Sequence, residues 1–302
     1  MLDSNTKTDI EKISIDILNQ SKSIGVFPTP VDKILKQTEL ISDSQIDLSV
    51  VDRSFFERLS DSTNQGIKIL QAGLSKVKGF FDRFEKTIYV DVNQNEGRQG
   101  FVKLHEIGHS VLPWQNEVML ALDNRETLTS YEDEFEAEAN HFASVTLFQH
   151  DVFVEEIVKL PLGVDAGIAL AKKFGSSVHA ALRNYVLKSK NKCVLLVLTP
   201  IVGVRGNKAI CSTRNLFYSE SFKEQIGELR LPAEFGFKWS FIKDYKFNKR
   251  YNVQGEIKLT TVEGDILTTS YHYFYNSYNI FVLLFPKGEK NKVKTKIILQ
   301  NI

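Results

Sequence analysis

Residues 101–112 read Phe-Val-Lys-Leu-His-Glu-Ile-Gly-His-Ser-Val-Leu. Residues four apart on an α-helix share a face, so His105 and His109 can direct two imidazoles at one ion. Zinc takes imidazole nitrogens at roughly 2.0–2.1 Å in a near-tetrahedral shell. Glu106 projects to the side of the pair, where it can act as a general base without being a ligand, and Gly108 leaves room for close packing or substrate approach. The pattern predicts a helix that carries a zinc site.

The alternative is a chance match on a surface helix, because short motifs do occur by accident. Histidines are scarce, however: there are six in the chain, and two stand at the required spacing around a glutamate. A buried His-Glu-His cluster without a purpose is costly. The flanking residues indicate burial, since they are apolar: Phe101, Val102, Leu104, Val111 and Leu112. The metal site is therefore the favoured interpretation.

A catalytic zinc needs a third protein ligand and an open position. The acidic segment 131–144 offers four glutamates: Glu132, Glu134, Glu136 and Glu138. The closely packed face of this predicted helix is marked by Ala139, Ala143 and Leu147, at i, i+4 and i+8. Glu136 lies three residues before that stripe begins and shares its face, whereas Glu138 falls about 200° away. Glu136 is the predicted third ligand, and Glu138 remains the alternative.

Other residues around the site are less constrained by the pattern. Asn140 lies one turn after Glu136, where its amide can hydrogen-bond a metal ligand from behind. It can equally be an ordinary amide bonded to water or backbone. No donor for a developing oxyanion stands out. Tyr131 and His141 are candidates, although His141 fits a capping or packing role better.

Composition and charge exclude several classes of protein. The chain has 302 residues, of which 42% are hydrophobic and 25% charged, which is typical of a globular protein with room for two domains. Its 38 basic and 37 acidic residues give a net charge of +1, so it lacks the basic excess of most proteins that grip nucleic-acid backbones. The N-terminus has no signal-peptide pattern, and the apolar run 193–204 is too short to span a bilayer. Two cysteines make no disulfide framework, so we expect a cytoplasmic protein.

The hydrophobic periodicity predicts an α+β protein with a domain boundary near residue 190. Predicted helices cover 5–22, a stretch from residue 29 or 30, 101–112 ended by Pro113, 132–148, 152–160 and a helix–turn–helix-like segment at 165–188. Residues 43–63 are helical or irregular. Predicted strands before the motif are 67–70, 77–81 and 87–92; beyond 191 they are 194–198, a hairpin over 256–274, and 280–285. The predicted domains are therefore 1–190, with the metal site, and 191–302, which is rich in β-structure.

Several stretches together resemble the ImmA/IrrE family of bacterial metallopeptidases. They are Gly100-Phe-Val-Lys-Leu104 with the motif that follows it, Glu136-Ala-Glu-Ala-Asn-His-Phe-Ala143, Val26-Phe-Pro-Thr-Pro-Val-Asp-Lys-Ile-Leu35, Thr87-Ile-Tyr-Val-Asp-Val92 and Ala169-Leu-Ala-Lys-Lys-Phe-Gly-Ser-Ser-Val-His-Ala-Ala-Leu-Arg183. The resemblance covers roughly residues 20–190. It implies a zincin-like domain in which His105, His109 and Glu136 bind Zn²⁺ and Glu106 is the base. It also implies cleavage of a helix-turn-helix repressor, which releases stress-response or mobile-element genes. The C-terminal domain would then be a sensory or GAF-like module.

Two rival hypotheses stay open. The first is a DNA-binding regulator that uses residues 165–188, where Arg183 is the single basic residue of the candidate recognition helix, 176–185. A helix that reads base edges normally carries more long polar side chains that can reach the bases. A packed helical hairpin therefore explains this segment better. The second rival is a zinc-sensing module that does not cut. Glu106 argues against it, because a purely structural zinc site needs no base and closes its fourth position with a protein ligand.

Overall fold

The computed structural model describes residues 2–51, 55, 78–82, 85–115, 129–200, 204–205, 208–209, 211–243 and 252–290. The chain divides into two compact units. The first is Met1–Phe153 with Lys172–Ser177, and the second is Val154–Ala171 with Val178–Ile302. The predicted boundary at residue 190 stays a prediction.

The helices follow the predicted order closely. They are α1 (Ser4–Gln20), α2 (Val31–Gln37), α3 (Glu96–Val111), α4 (Thr129–Leu147), α5 (Asp151–Ile157), α6 (Val164–Phe174), α7 (Val178–Lys188) and α8 (Glu220–Gln225). Helix α3 begins earlier than the apolar pattern alone indicates, because the Asn95 side chain caps it by accepting the backbone N–H of Arg98 at 3.0 Å. It ends at Val111, just before Pro113. The turn between α6 and α7 contains Gly175, whose φ of 72° suits glycine.

A three-stranded sheet lies in the first unit, in the order β1-β3-β2. Its strands are β1 (Ile41–Asp43), β2 (Gly79–Asp82) and β3 (Thr87–Val90). Strands β2 and β3 are antiparallel and confirm two of the predicted strands, whereas the one predicted at 67–70 lies outside the described residues. Strand β1 was not predicted; it pairs in parallel with β3. Helix α3 contacts β2 and β3, so the sheet supports the helix that carries the motif.

The core of the first unit surrounds α3. Its buried members come from α1, α2, β3, α3 and α4, and they include Ile10, Leu18, Ile34, Val90, Val102, Leu104, Ile107 and Phe142. Burying a large aliphatic or aromatic side chain contributes about 1.5–3 kcal/mol. The motif helix is thus held on several sides by apolar packing before any metal is considered.

The second unit contains a six-stranded antiparallel sheet in the order β8-β7-β4-β11-β10-β9. Its strands are β4 (Val194–Leu198), β7 (Cys211–Tyr218), β8 (Glu234–Phe235), β9 (Asn252–Thr260), β10 (Ile266–Tyr275) and β11 (Ile280–Pro286). A short pair, β5 (Val204–Arg205) and β6 (Lys208–Ala209), stands apart from this sheet. The predicted β-rich C-terminal region is confirmed, with the predicted hairpin as β9–β10. Among the described residues, no helix is long and apolar enough to cross a membrane.

Candidate metal centre

Three side chains converge where α3 and α4 meet. The Nε2 atoms of His105 and His109 are 3.1 Å apart. Glu136 presents one oxygen 3.5 Å from His105 Nε2 and its other oxygen 3.6 Å from His109 Nε2. Ligands at about 2.0–2.1 Å from a tetrahedral ion lie about 3.3–3.4 Å from one another. The three observed separations bracket that value, so this His₂Glu set can hold a metal ion.

The close approach of the two helices depends on small residues. A Cβ added at Gly108 would lie 3.2 Å from Ala139 Cα and 3.2 Å from Phe142 Cδ1. Both neighbours are fully buried. Helices can approach this closely only where side chains are small at the crossing. The stripe that begins at Ala139 therefore brings Glu136 within reach of the two histidines.

Glu106 lies beside the cluster in a dry environment. Its residue surface is 4% exposed, and burial raises the pKa of its carboxyl to about 7. His109 opposes that shift, whereas the negative charge of Glu136 adds to it. A Cβ built at Gly79 of β2 would lie 3.8 Å from Glu106 Oε1, so the sheet reaches the motif at this carboxyl. A buried carboxyl near the neutral range suits proton transfer.

Glu138, the alternative ligand, is committed elsewhere. It is buried, and its Oε2 accepts hydrogen bonds from Trp114 Nε1 at 2.8 Å and Gln115 Nε2 at 2.6 Å. The Oε1 atom of Gln115 lies 2.8 Å from His109 Nδ1 and accepts a hydrogen bond from it. Glu138 therefore reaches the cluster only through Gln115, and Glu136 is the carboxylate that faces the histidines.

Gln115 is the residue that the sequence did not reveal. It lies six positions after His109, beyond the end of α3, and its side chain is fully buried. Its backbone N–H donates to Leu112 O at 3.2 Å, in a short helical stretch over 113–115 that begins at Pro113. The periodicity of α3 cannot find such a residue, because it lies beyond the end of that helix.

Charge and hydrogen bonds act on His109 together. Burial lowers the pKa of His109, but the hydrogen bond that His109 donates to Glu136 and the charge of Glu106 outweigh burial, with help from Gln115. The net effect is a raised pKa. The neighbouring carboxylates thus favour positive charge at this position, as they would favour a bound metal cation.

Of the three remaining candidates, the structure describes the side chains of Asn140 and His141. Asn140 is exposed on α4. The Nε2 atom of His141 lies 3.4 Å from Glu11 Oε1, so this imidazole faces α1. The side chain of Tyr131 lies outside the described residues. The described structure thus assigns none of the three to the metal cluster.

Comparison with known proteins agrees with the geometry. Residues 63–185 match the family model Peptidase_M78, the IrrE N-terminal-like domain. This segment is similar to the IrrE N-terminal-like domain. The resemblance to the ImmA/IrrE family is confirmed over that range, and the match implies a metallopeptidase.

The matched segment contains His105, His109 and Glu136, so the whole metal cluster lies within it. No curated protein matches the chain. Among solved structures, a Mycobacterium tuberculosis transcriptional regulator is similar, with 12% sequence identity and a TM-score of 0.51. That match covers 92% of this chain and 75% of the other. At this identity the likeness concerns the fold alone.

Proposed function

We propose that this protein is a zinc-dependent endopeptidase. The observation that carries the proposal is the tetrahedral spacing of His105, His109 and Glu136. The buried Glu106 lies beside this group, on the helix that carries the two histidines. Two imidazoles and one carboxylate form a typical catalytic zinc set, which leaves a fourth position open. When bound, zinc supplies a Lewis acid that activates water and polarises a peptide carbonyl.

Glu106 provides the proton transfer in this proposal. It adjoins both histidine ligands in the sequence motif without being needed as a ligand itself. As general base it takes a proton from the attacking water, and as general acid it passes that proton to the leaving amine. A site shielded from bulk water strengthens each of these electrostatic effects.

In this proposal the substrate binds at the edge of the small sheet. Among the described strands, β2 forms an edge, and its Gly79 adjoins Glu106. An extended peptide can add to such an edge through backbone hydrogen bonds. A protein segment bound there would pass beside Glu106, which supports an endopeptidase acting on an extended segment of a protein.

The substrate class follows from the family resemblance: a helix-turn-helix repressor of stress-response or mobile-element genes, cleaved in the cytoplasm. In this proposal the β-rich domain, 191–302, is a sensory or GAF-like module that controls the protease domain, 1–190. Co-expression with candidate repressors tests the substrate class. The expected result is a new fragment of one repressor that depends on Glu106.

Glu106→Gln tests the mechanism. The variant should bind zinc like the parent and lose cleavage by a factor of about 10²–10⁴, the usual contribution of a general base. The matched control is Glu96→Gln, an exposed residue of the same helix, which should cleave normally. Unchanged proteolysis in Glu106→Gln would rule out this mechanism. Zinc binding without proteolysis in the parent would favour a zinc-sensing regulator instead.

The alternative of a DNA-binding regulator has one observation in its favour, the fold shared with a transcriptional regulator. Against it, α7 packs on β4 and β7, and its Ala181, Leu182 and Tyr185 are buried. A helix whose face is buried against a sheet has few side chains free to contact base edges in a DNA groove. Duplex binding that weakens steeply with salt would favour this alternative.

A further inference from the structure

A chain of three buried or half-buried side chains leads from α4 to the metal cluster. Glu138 Oε2 accepts from Gln115 Nε2 at 2.6 Å, and Gln115 Oε1 lies 2.8 Å from His109 Nδ1. Trp114 Nε1 donates to the same oxygen of Glu138 at 2.8 Å, which holds that carboxylate in place. Gln115 is fully buried and Glu138 is 4% exposed, so water does not compete for these bonds.

The orientation of the Gln115 amide is set by its partners. Its Nε2 lies 2.6 Å from Glu138 Oε2 and 3.2 Å from the backbone oxygen of Phe135. Both of those atoms are acceptors, and the amide NH₂ has two protons to give them. The reversed amide would place its oxygen against two other oxygens in a buried site, which costs several unmade hydrogen bonds. The carbonyl end of Gln115 must therefore face His109.

The protonation of His109 follows from that orientation. An amide oxygen can only accept, so Nδ1 of His109 must carry a proton to bond it. A neutral imidazole with its proton on Nδ1 has a bare lone pair on Nε2. Nε2 is the atom that lies 3.1 Å from His105 Nε2 and 3.6 Å from Glu136 Oε1. The lone pair is thus available where the metal ligands meet.

We propose that Gln115, itself fixed by Glu138, is a positioning residue that selects the Nδ1–H tautomer of His109 and so prepares this imidazole to bind metal. The proposal deepens the metal site of the proposed function and rests on it. Glu138 acts through Gln115 and is not a ligand. Ligating histidines commonly donate their second nitrogen to a carboxylate or carbonyl, and removing such partners typically weakens metal affinity 10–100-fold.

The first test reads the tautomer directly in metal-free protein. Nitrogen-15 NMR of histidine-labelled protein, at a pH where the imidazoles are neutral, should show His109 protonated on Nδ1 and bare on Nε2. The His109→Gln variant identifies the resonance. Gln115→Met, which keeps the length of the side chain and removes its hydrogen bonds, should shift His109 toward the Nε2–H form that an unconstrained histidine side chain prefers.

The second test measures zinc affinity by competition with a chelator. Gln115→Met should bind zinc 10–100-fold more weakly. The control Gln45→Met, at an exposed glutamine, should bind like the parent. Glu138→Met should weaken zinc binding similarly, and the double variant should lose little more than either single one, because both residues act through one chain of bonds.

Each outcome decides something. A parent protein whose His109 carries its proton on Nε2 overturns the proposal, and that reading needs no variant to fold. An unchanged tautomer in folded Gln115→Met also overturns the proposal, whatever the zinc affinity of that variant. Fully additive losses of zinc affinity in the double variant overturn it as well. A parent with the Nδ1–H tautomer that binds no zinc would leave the positioning role intact and refute the proposed metalloprotease.

Discussion

At the scale of single residues, alanine substitutions at two glycines of α3 distinguish the effect of packing on stability from the effect of helix propensity. A Cβ at Gly108 would press on Ala139 and Phe142 at 3.2 Å, whereas at Gly100 it would meet only Val31 Cγ2 at 3.7 Å. We expect Gly108→Ala to destabilise the protein by about 1–3 kcal/mol, the usual cost of overpacking. It should also weaken zinc binding, since α4 carries Glu136.

Gly100→Ala is the matched control. It removes a glycine from the same helix without a clash, so it should raise the free energy of unfolding by about 0.5–1 kcal/mol. Denaturant titration measures both variants. Equal destabilisation by the two substitutions would show that contact with α4 is not what constrains Gly108.

The two cysteines offer a prediction about pH. Burial raises the pKa of Cys193 to about 12, against hydrogen bonds from Ser189 and Ser219 that lower it, and burial raises the pKa of Cys211 to about 12 as well. Thiolate is the reactive form, so neither thiol should react with iodoacetamide at pH 8 in the folded protein, and both should react on unfolding.

The same shifts affect stability in alkaline solution. Because the folded pKa values are raised, the thiols contribute their full stabilisation below the unfolded pKa of about 8.5, and this contribution is lost as the pH rises toward 12. The free energy of unfolding should therefore fall between pH 9 and pH 11. Substituting both cysteines by alanine should flatten that decline. Fast alkylation of native protein at pH 8 would contradict the burial of these thiols.

At the scale of the element, α3 owes its start to one side chain. Asn95 caps the helix through the Arg98 N–H, so Asn95→Ala should cost about 1 kcal/mol of stability. Asn95→Asp should retain the cap and complement the helix dipole. Thermal unfolding followed by circular dichroism compares the two. Zinc affinity should stay near the parental value in both, since the ligands lie more than two turns away; a large loss would show that the cap also shapes the site.

What could be predicted from the sequence depends on how local each element is. Helix α3, strand β4 and the β9–β10 hairpin have clear periodicity and were predicted close to their observed bounds. Strand β7 was missed because its first half, after Cys211, is polar and exposed; its place in the sheet comes from pairing with β4. Strand β1 is three residues long, too short for any periodic pattern.

The candidate site divides in the same way. His105, His109 and Glu106 follow from spacing within one helix, and Glu136 from helical phase on the next. Gln115 does not, because its place beside His109 depends on the short helical stretch over 113–115 and on the crossing of α3 with α4. Sequence periodicity describes faces of elements, whereas a hydrogen bond between elements depends on tertiary packing.

At the scale of the whole molecule, the metal ligands all belong to the first compact unit. His105 and His109 lie on α3 and Glu136 on α4, so one ion would cross-link two helices that pack closely at Gly108. A ligand that binds only the folded state stabilises it by about 2.7 kcal/mol at a concentration of 100 times Kd. Zinc should therefore stabilise these helices first.

Hydrogen exchange with and without zinc measures that effect along the chain. We expect slower exchange in peptides from α3 and α4, with β4 and β11 as internal references in the same sample. Glu136→Gln should abolish the protection, because it removes a ligand, whereas Glu134→Gln, exposed on the same helix, should retain it. Protection that rises equally in every peptide would mean that exchange occurs through global unfolding, and that zinc raises the free energy of unfolding of the whole chain. No protection in the parent would refute a site built from these three residues.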